Sequence, residues 1–315
     1  MFELGIRTEE QYMKMGPRRR FSGPRVAYNL LRVGENPTEE QIKVFEDISV
    51  TLQAANGTYR TSYPNRFEDV DAAFLKALQE LFPAGAPLRI EDRAVSHGLT
   101  SYELAEKLFP IFPAATIEAS DLLLELLELT TPEGDIFITE IDGTPLQYIR
   151  PPFVVGIHHP ESWKNPFLRL VAAQARKRFR RLALPPDWMG RPDGEGFWVR
   201  RIPYIHPKAA MLARSDSRLR FCRRSVFERS VTPCDVVRTM NIFNRGYFSD
   251  DRLREGFSAI FASLSPGGVW IAGRSLLEDL TNHASVFRRG ENGWKVMARV
   301  GSGWELEEMV CEASR

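Results

Sequence analysis

The sequence predicts an α/β protein built on a mostly parallel sheet, and three observations lead to that prediction. Short apolar segments alternate with helix-forming segments over residues 88–121 and again over residues 207–272. Small residues occupy every second position just after the first predicted strand. Two β-like runs, 286–288 and 294–300, come last and are expected to close the sheet with an antiparallel strand.

The composition is typical of a soluble globular protein. Of the 315 residues, 43% are hydrophobic and 26% are charged. No apolar run approaches the roughly 18 residues that a membrane span needs, and the stretch MFELGIRTEEQYMK lacks the basic start and apolar block of an export signal. The three cysteines are too scattered for a disulfide framework, and no His, Cys or Asp group has metal-site spacing. We therefore expect a cytoplasmic protein without a metal.

Residues 1–87 are predicted to form a helical N-terminal cap. Thr38 and the two acids after it mark a helix start, and Asn56-Gly57 marks its end. A second helix is predicted over residues 67–82, where apolar side chains recur at helical spacing. The segment PAGAP, residues 83–87, then interrupts regular structure before the first strand.

Residues 88–98, LRIEDRAVSHG, are the most informative stretch of the chain. An apolar start leads to Asp92, and small residues then follow at alternate positions: Ala94, Ser96 and Gly98. A helix-forming segment comes directly afterwards. Small side chains allow a backbone turn to approach a nucleotide-like ligand closely, whereas large ones would block that approach. The pattern therefore predicts a buried strand, a tight turn and a helix, with a binding site at the turn.

The remaining elements follow from periodicity and turn signals. Asp142-Gly143 lies between two β-like runs within residues 135–150 and is the strongest hairpin signal in the sequence. Further helices are predicted at 100–108, 122–129, 167–182, 207–215 and 250–264, and further strands at 115–119, 218–223, 234–240 and 269–272.

Positive charge is concentrated in one part of the chain. Fifteen Lys and Arg residues stand against four Asp and Glu residues between Arg169 and Arg224, although the net charge of the whole chain is only +1. A solvated basic face would explain this excess, and so would an anionic partner. The predicted helix 167–182 is amphipathic and very basic, so it could pack as a lid over a cleft or lie on a membrane surface. Nucleic acid is disfavoured because no recognised RNA-binding module accompanies the charge.

Four blocks of sequence resemble, in order, the class I S-adenosylmethionine-dependent methyltransferase family. They are LRIEDRAVSHGLTSYELAE, ATIEASDLL, LRFCRRSVFE and CDVVRTMNIFNRGYFSDDRLREGFSAIFASLSPGGVWIAG. The resemblance implies a Rossmann-like methyltransferase sheet, mostly parallel with an antiparallel closing strand, formed by residues 88–130 and 205–315. Residues 1–87 would then be the helical cap. Residues 131–204 would be an insertion of a β-hairpin and the basic helix, expected to act as a substrate lid.

The resemblance also implies S-adenosylmethionine as the cofactor, bound along the carboxyl ends of the strands. Its methionine carboxylate is expected at the small-residue turn, its ribose at Asp121, and its adenine at Ser225 and the Val226 backbone. Asp121 could instead cap the predicted helix 122–129, and Asn241 could instead be a turn-stabilising amide. The expected cofactor-binding residues are Asp92, Ala94, Ser96, Gly98, Asp121, Ser225, Val226 and Asn241.

Two functions remain open at this point. The first is a methyltransferase acting on a small-molecule acceptor, for which an anionic or lipid-like compound fits the basic insertion. The second is a methyltransferase-like binding or regulatory protein without catalysis, because Arg93, Ala94, Ser96 and Ser225 depart from the family's pattern. Methyl transfer needs alignment more than a base, and the catalytic candidates are His283, His159 and Asn241. If Asp121 holds the ribose, Asp121→Ala should weaken cofactor binding at least tenfold and leave the melting temperature nearly unchanged.

Overall fold

The computed structural model describes residues 5–14, 25–55, 57, 59–60, 62–157, 166–191, 193–194, 196–276, 280–291 and 293–312. Its helices are α1 (Glu9–Met13), α2 (Glu39–Ser49), α3 (Glu68–Leu81), α4 (Leu99–Leu108), α5 (Pro166–Arg181), α6 (Pro207–Ser215), α7 (Asp250–Ser263) and α8 (Glu307–Glu312). Its strands are β1 (Arg89–Arg93), β2 (Thr116–Asp121), β3 (Glu125–Thr130), β4 (Ile136–Thr139), β5 (Pro145–Arg150), β6 (Phe153–Gly156), β7 (Asp193–Gly194), β8 (Phe197–Pro203), β9 (Leu219–Arg223), β10 (Cys234–Met240), β11 (Leu264–Ser275), β12 (Asn282–Gly290) and β13 (Gly293–Val300).

The chain forms two compact units, each assembled from two separate stretches. Unit 1 contains Met1–Ser62 and Leu123–Pro207, and unit 2 contains Tyr63–Leu122 and Lys208–Arg315. These boundaries differ from the predicted ones. Helix α3 belongs with the parallel sheet and not with the N-terminal cap, since its apolar side joins the core of that sheet. The rest of the cap and the insertion share one core and form a single unit.

Unit 2 contains the predicted mostly parallel sheet. Its seven strands lie in the order β9-β2-β1-β10-β11-β12-β13, and the first five are parallel. Strands β12 and β13 are antiparallel to their neighbours and close the sheet as a hairpin. The predicted α/β class with an antiparallel closing strand is therefore confirmed. This order brings the carboxyl ends of five strands to one edge of the sheet.

Apolar side chains cover both faces of this sheet. On one face, α3 and α4 bury residues such as Phe74 and Leu104, and α6 packs Leu212 against the same core. On the other face, α7 and α8 bury an aromatic cluster around Trp270 and Trp304, whose ring centroids are 5.6 Å apart.

One crossover in unit 2 has no helix. Parallel strands that follow one another in the chain are usually joined through a helix. The path from β9 to β10, which are separated in the sheet by β2 and β1, instead runs through turns and irregular chain over residues 224–233. A side chain of the sheet, Arg93 of β1, forms hydrogen bonds with this loop. The Arg93 guanidinium donates to the carbonyl oxygens of Val226, at 3.4 Å, and Glu228, at 2.9 Å. At this position the loop is therefore held to the sheet by hydrogen bonds from the buried Arg93 guanidinium, and not by a packed helix.

Unit 1 is built on a six-stranded antiparallel sheet with the order β6-β5-β4-β3-β8-β7. The predicted hairpin joins β4 to β5 through Asp142-Gly143, and Gly143 has a φ of 87°, which favours glycine. One face of the sheet packs on the N-terminal segment and α2. The other face packs on α5, which buries Ala175. Among the described residues, no helix has both the length and the apolar character to cross a bilayer.

The predicted helix at 122–129 is wrong, because these residues form a bend followed by strand β3. Leu126 points into the core shared with the N-terminal segment, and Leu127 and Leu129 point into the core shared with α5. A strand buried on both faces is apolar at nearly every position, so the run LLLELLEL carries no alternation to reveal it. Tertiary packing on both faces overrides the helix propensity of leucine and glutamate. Strands β6 and β8 were not predicted either.

Candidate functional site

The loops at the carboxyl ends of the parallel strands form the candidate site. In open α/β sheets, ligands bind at this edge, where neighbouring connections leave in opposite directions. In unit 2 the edge carries the turn 94–98 after β1, the end of β2 at Asp121, and the loops that follow β9, β10 and β11. All residues in these positions belong to one compact unit.

The turn after β1 contains three left-handed residues at alternate positions. Ala94 has a φ of 61°, Ser96 of 56° and Gly98 of 76°. The left-handed region costs an L-residue with a Cβ roughly 1–2 kcal/mol, whereas glycine adopts it freely. The small residues of the sequence pattern thus occupy the positions where the backbone needs glycine-like freedom. Non-glycine residues in this region often mark functional turns.

The end of β2 clamps this turn. The backbone N–H groups of Ala94 and Val95 donate to the carbonyl oxygen of Ser120, at 2.7 and 3.2 Å. The N–H of Ser96 donates to the Asp121 carboxylate, with 2.8 Å between the nitrogen and Oδ2. Asp121 is only 3% exposed. The structure therefore brings Asp121 and the predicted turn together, and the capping alternative is wrong because no helix begins after Asp121.

Gly98 serves close packing between helix and sheet. A Cβ at this position would overlap the ring of Phe221 on β9, which lies directly against the glycine. Helix α4 starts at the next residue, and Gly98 provides no side chain to cap it. The first N–H groups of α4 therefore point towards the edge of the sheet together with the positive end of the helix dipole.

The Asp92 carboxylate lies in the protein interior, below the turn, and accepts hydrogen bonds from other side chains there. Its two carboxylate oxygens accept from the Arg238 guanidinium at 3.0 and 2.6 Å, and one of them also accepts from the Ser101 hydroxyl at 2.6 Å. Arg238 also donates to Asp71 of α3 at 2.6 Å and to the carbonyl of Thr100 at 2.9 Å. Asp92 was predicted to contact the cofactor. In the structure, Asp92 instead links β1 to β10 through Arg238, which also binds Asp71 of α3.

Within this cluster, the pKa values of Arg238 and Asp71 are both raised. Burial alone would lower the pKa of Arg238, but Asp92 and Asp71 raise it above its ordinary value. Burial raises the pKa of Asp71, and Arg238 only partly opposes this effect. All three groups are almost completely buried, so the charged cluster depends on its mutual pairing.

Arg93 and His97 are both buried. The Arg93 side chain does not occupy the candidate site at the carboxyl ends of the strands. Its guanidinium donates to Glu91 at 2.6 Å and to the Ser263 hydroxyl at 2.9 Å. Ser263 immediately precedes β11, so the Arg93 side chain runs back towards the amino ends of the strands. Burial would raise the pKa of Glu91, but Arg93 and Arg224 bring it below its ordinary value.

Ser225 and Val226 form a turn directly after β9. The Ser225 hydroxyl accepts from the N–H of Phe227 at 3.3 Å, and the N–H of Ser225 donates to Glu228 at 3.1 Å. The backbone N–H of Arg224 donates to the Asp121 carbonyl oxygen at 3.3 Å. The turn therefore lies beside the end of β2. The predicted adenine contact of these two residues stays a prediction.

Asn241 and His283 are both used to hold turns. Asn241 has a φ of 59°, and its Oδ1 accepts from the N–H of Ser275 at 2.7 Å, as the turn-stabilising interpretation predicts. The His283 Nδ1 accepts from the N–H of Ser302 at 2.9 Å, and its Nε2 lies 3.2 Å from the Thr281 hydroxyl. Both ring nitrogens of His283 are therefore engaged within the protein. His159, the other histidine candidate, lies outside the described residues.

One group at this edge was missed by the sequence analysis. The Arg66 Nε lies 3.3 Å from the Ser275 hydroxyl at the end of β11, and its guanidinium lies 5.4 Å from the ring centroid of Tyr63. Burial lowers the pKa of Arg66, although Tyr63 and Tyr247 act in the opposite direction. No local pattern marks Arg66, because its position depends on α3 lying against β12 and β13. The described residues contain no cluster of metal-ligating side chains.

Comparisons with known proteins give distant structural similarity only. No family model matches the chain, and no curated protein matches it. One similar structure, from Nostoc punctiforme, is described as an O-methyltransferase: identity is 15%, coverage is 65% of this chain and 37% of that one, and the TM-score is 0.28. Another, from Galdieria sulphuraria, is described as a sarcosine dimethylglycine methyltransferase: identity is 10%, coverage is 66% and 45%, and the TM-score is 0.30.

A third similar structure is an S-adenosylmethionine-bound amino pentose methyltransferase from Micromonospora echinaspora. Identity is 12%, coverage is 79% of this chain and 82% of that one, and the TM-score is 0.31. The chain spans less than half the length of the first two proteins. The similar structures are thus methyltransferases, and at this distance they assign neither activity nor substrate to this chain.

Proposed function

We propose that this chain is an S-adenosylmethionine-dependent methyltransferase that acts on a small anionic acceptor. The observation that carries the proposal is the turn 94–98, with its three left-handed residues clamped by Asp121. The sequence blocks that resemble the family lie on this frame. A strained small-residue turn, an acid at the next strand end and a helix start at the same edge are what a nucleoside cofactor with a carboxylate requires.

The residues at this edge fit such a cofactor. Ser120 is 1% exposed, and its buried hydroxyl has no hydrogen-bond partner among the described residues. A buried hydroxyl without a partner is costly, so a polar group from a bound molecule or a water is expected beside it. Asp121 can accept a ribose hydroxyl in addition to the bond from Ser96, because a carboxylate has about four acceptor sites.

When bound, S-adenosylmethionine would supply an electrophilic sulfonium methyl group. The first N–H groups of α4 would hold its carboxylate, Asp121 would orient its ribose, and the turn at Ser225 and Val226 would border its adenine. These contacts fix the position of the methyl group, which is the main requirement for transfer. We assign no base, since both nitrogens of His283 are engaged with neighbouring groups.

The acceptor is expected to bind near Arg66. This partly buried cation lies at the end of β11, beside Ser275 and close to Tyr63 and Tyr247. Tyr247 is 49% exposed and follows β10 at the same edge of the sheet. A carboxylate or phosphate on the acceptor would pair with Arg66, and the two tyrosine rings would border its carbon frame.

Calorimetric titration with S-adenosylmethionine tests the proposal, and Asp121→Asn is the informative variant. Asparagine keeps an oxygen for the Ser96 N–H but loses the charge and one ribose acceptor. We expect a cofactor Kd at least tenfold weaker than that of the wild type, which corresponds to about 1.4 kcal/mol. Asp142→Asn, an exposed change in the β4–β5 turn, is the matched control and should bind as the wild type does. Absence of wild-type binding at millimolar cofactor would refute the proposal.

Asp121→Ala is a poorer variant than the sequence alone suggested. Removing the carboxylate leaves the N–H of Ser96 without its acceptor in a buried turn. We therefore expect a loss of about 1–3 kcal/mol in the free energy of unfolding, and not the nearly unchanged stability predicted from the sequence alone. Weaker cofactor binding by this variant would then have two causes, the damaged turn and the lost cofactor contact.

A binding or regulatory protein without catalysis is the second candidate, and one observation favours it. Ala94 and Ser96 carry side chains at positions where the family has glycine, and the N–H of Ser96 is already used by Asp121. Transfer of label from methyl-labelled S-adenosylmethionine to small carboxylates and phosphates separates the two functions. Cofactor binding without transfer to any of them would favour the second candidate.

A further inference from the structure

Helix α5 presents an outer face that is strongly basic. Its inner face buries Ala172 and Ala175 against the sheet of unit 1, with Val171 and Phe179 packed beside them. The exposed positions recur at helical spacing on the opposite side, which we name the outer stripe. Its members are Arg169, Leu170, Lys177, Arg180 and Arg181, all of them exposed.

The cations of the outer stripe are not neutralised within the described residues. Helix α5 contains no Asp or Glu from Pro166 to Arg181. Two of its arginines do have partners: Arg176 donates to the Ile157 carbonyl at 2.7 Å, and Arg178 pairs with Asp135 at 2.9 Å. None of the four cations of the outer stripe makes an ion pair with a described residue. Four exposed like charges on four turns of helix create a strong positive field.

Large apolar side chains lie next to these charges. Leu170 is 58% exposed and belongs to the outer stripe, and Phe167 is 49% exposed at the start of the same helix. The amino-terminal half of the helix therefore exposes apolar groups, and the carboxyl-terminal half exposes Lys177, Arg180 and Arg181. Phe167 also contacts the ring of Phe153 on β6, with 5.6 Å between the centroids, and both Phe167 and Leu170 keep about half of their surface exposed beside the basic cluster.

We propose that the outer stripe of α5 docks on an anionic lipid bilayer. The four cations would lie against the headgroups, while Leu170 and Phe167 insert into the interface. Nucleic acid would use the charges but not an aliphatic side chain such as Leu170, and no exposed aromatic ring of this helix other than Phe167 is available for stacking on bases. This inference is independent of the proposed methyl transfer.

Co-sedimentation with vesicles tests the docking surface. The 315-residue chain is expected to bind phosphatidylserine–phosphatidylcholine vesicles and not pure phosphatidylcholine vesicles, and binding should weaken as salt screens the charges. The triple variant Lys177→Gln/Arg180→Gln/Arg181→Gln should bind about a hundredfold more weakly. Leu170→Gln should lose about tenfold because it no longer buries an apolar side chain. Circular dichroism of each variant confirms that helix content is kept.

A matched control removes three exposed charges elsewhere. Lys43→Gln/Lys76→Gln/Arg229→Gln changes the net charge by the same amount, so it should bind vesicles nearly as the wild type does. Equal binding to both kinds of vesicle would overturn the proposal, and so would equal losses in the two triple variants. Tighter binding to a DNA or RNA duplex than to anionic vesicles, lost in the α5 variant, would overturn it in favour of nucleic acid.

Discussion

Ala94 and Ser96 show how much a single backbone conformation reveals about the site. Each adopts a left-handed conformation that costs a residue with a Cβ roughly 1–2 kcal/mol. Glycine at either position would remove that cost, yet the chain has alanine and serine. Their alternate spacing allowed the turn to be predicted, because a tight turn is a local feature of sequence. Asp121 could be predicted for the same reason, as it ends a short apolar strand.

Replacing Ala94 with glycine should stabilise the protein. Relief of the left-handed strain outweighs the backbone entropy that glycine loses on folding, which is about 0.5–1 kcal/mol. We expect a net increase of about 0.5–1 kcal/mol in the free energy of unfolding, measured by urea denaturation. Ala173→Gly is the control, since Ala173 is exposed within helix α5. The same chemical change should there cost about 1 kcal/mol. A similar loss in both variants would contradict the left-handed turn.

Contacts between elements were beyond prediction from sequence. Asp92 was assigned to the cofactor from its place before the turn, but Arg238 on β10 and Asp71 on α3 lie far from it in the chain and join it in the interior. Strand β3 was predicted as a helix because two separate cores bury its two faces. Arg66 was missed since it reaches the edge of the sheet only through the packing of α3. Local patterns thus located the turn, while the residues that support it depend on the assembled sheet.

Removing Arg238 should destabilise the protein in a pH-dependent way. Arg238→Met removes the arginine that Asp71 and Asp92 share and leaves only Lys107, 3.8 Å from Asp71, as a paired cation among the described residues, so we expect a loss of about 3–5 kcal/mol at neutral pH. Burial already raises the pKa of Asp71, and the loss of Arg238 would raise it further above that of the unfolded chain, so the folded state binds more protons as the pH falls. The deficit relative to the wild type should therefore shrink between roughly pH 7 and pH 4.

Urea denaturation at several pH values measures this effect. Arg254→Met is the control, because Arg254 is 51% exposed and pairs only with the exposed Asp251. Its effect should stay within about 0.5 kcal/mol at every pH. A constant deficit of Arg238→Met across the pH range would contradict a raised pKa of the buried Asp71 in the variant.

At the scale of the molecule, the proposed cofactor site lies wholly within unit 2. Its parts come from the two stretches Tyr63–Leu122 and Lys208–Arg315, and unit 1 has its own sheet and cores. The fold class of unit 2 could be predicted because alternating strands and helices are visible along the chain. The antiparallel sheet of unit 1 could not, since only its β4–β5 hairpin has a strong turn signal.

Hydrogen exchange in the presence of S-adenosylmethionine should distinguish the two units. A saturating ligand at about a hundred times its Kd stabilises the protein that binds it by about 2.7 kcal/mol. Slower exchange is expected at the amides of residues 94–99 and 119–122, where the turn and Asp121 lie. The amides of β3–β8 should be much less affected. Protection confined to β3–β8 would place the cofactor elsewhere.

The interleaving of the two units also has a consequence during synthesis. Strands β1 and β2 leave the ribosome early, but their partners β9 and β10 follow only after the whole of unit 1 has been made. Unit 1 can complete its sheet once Pro207 has emerged. The outer backbone hydrogen-bonding groups of β1 and β2 remain unpaired until β10 and β9 have been made. A chain truncated after Pro207 should therefore bind chaperones through the unpaired strands β1 and β2.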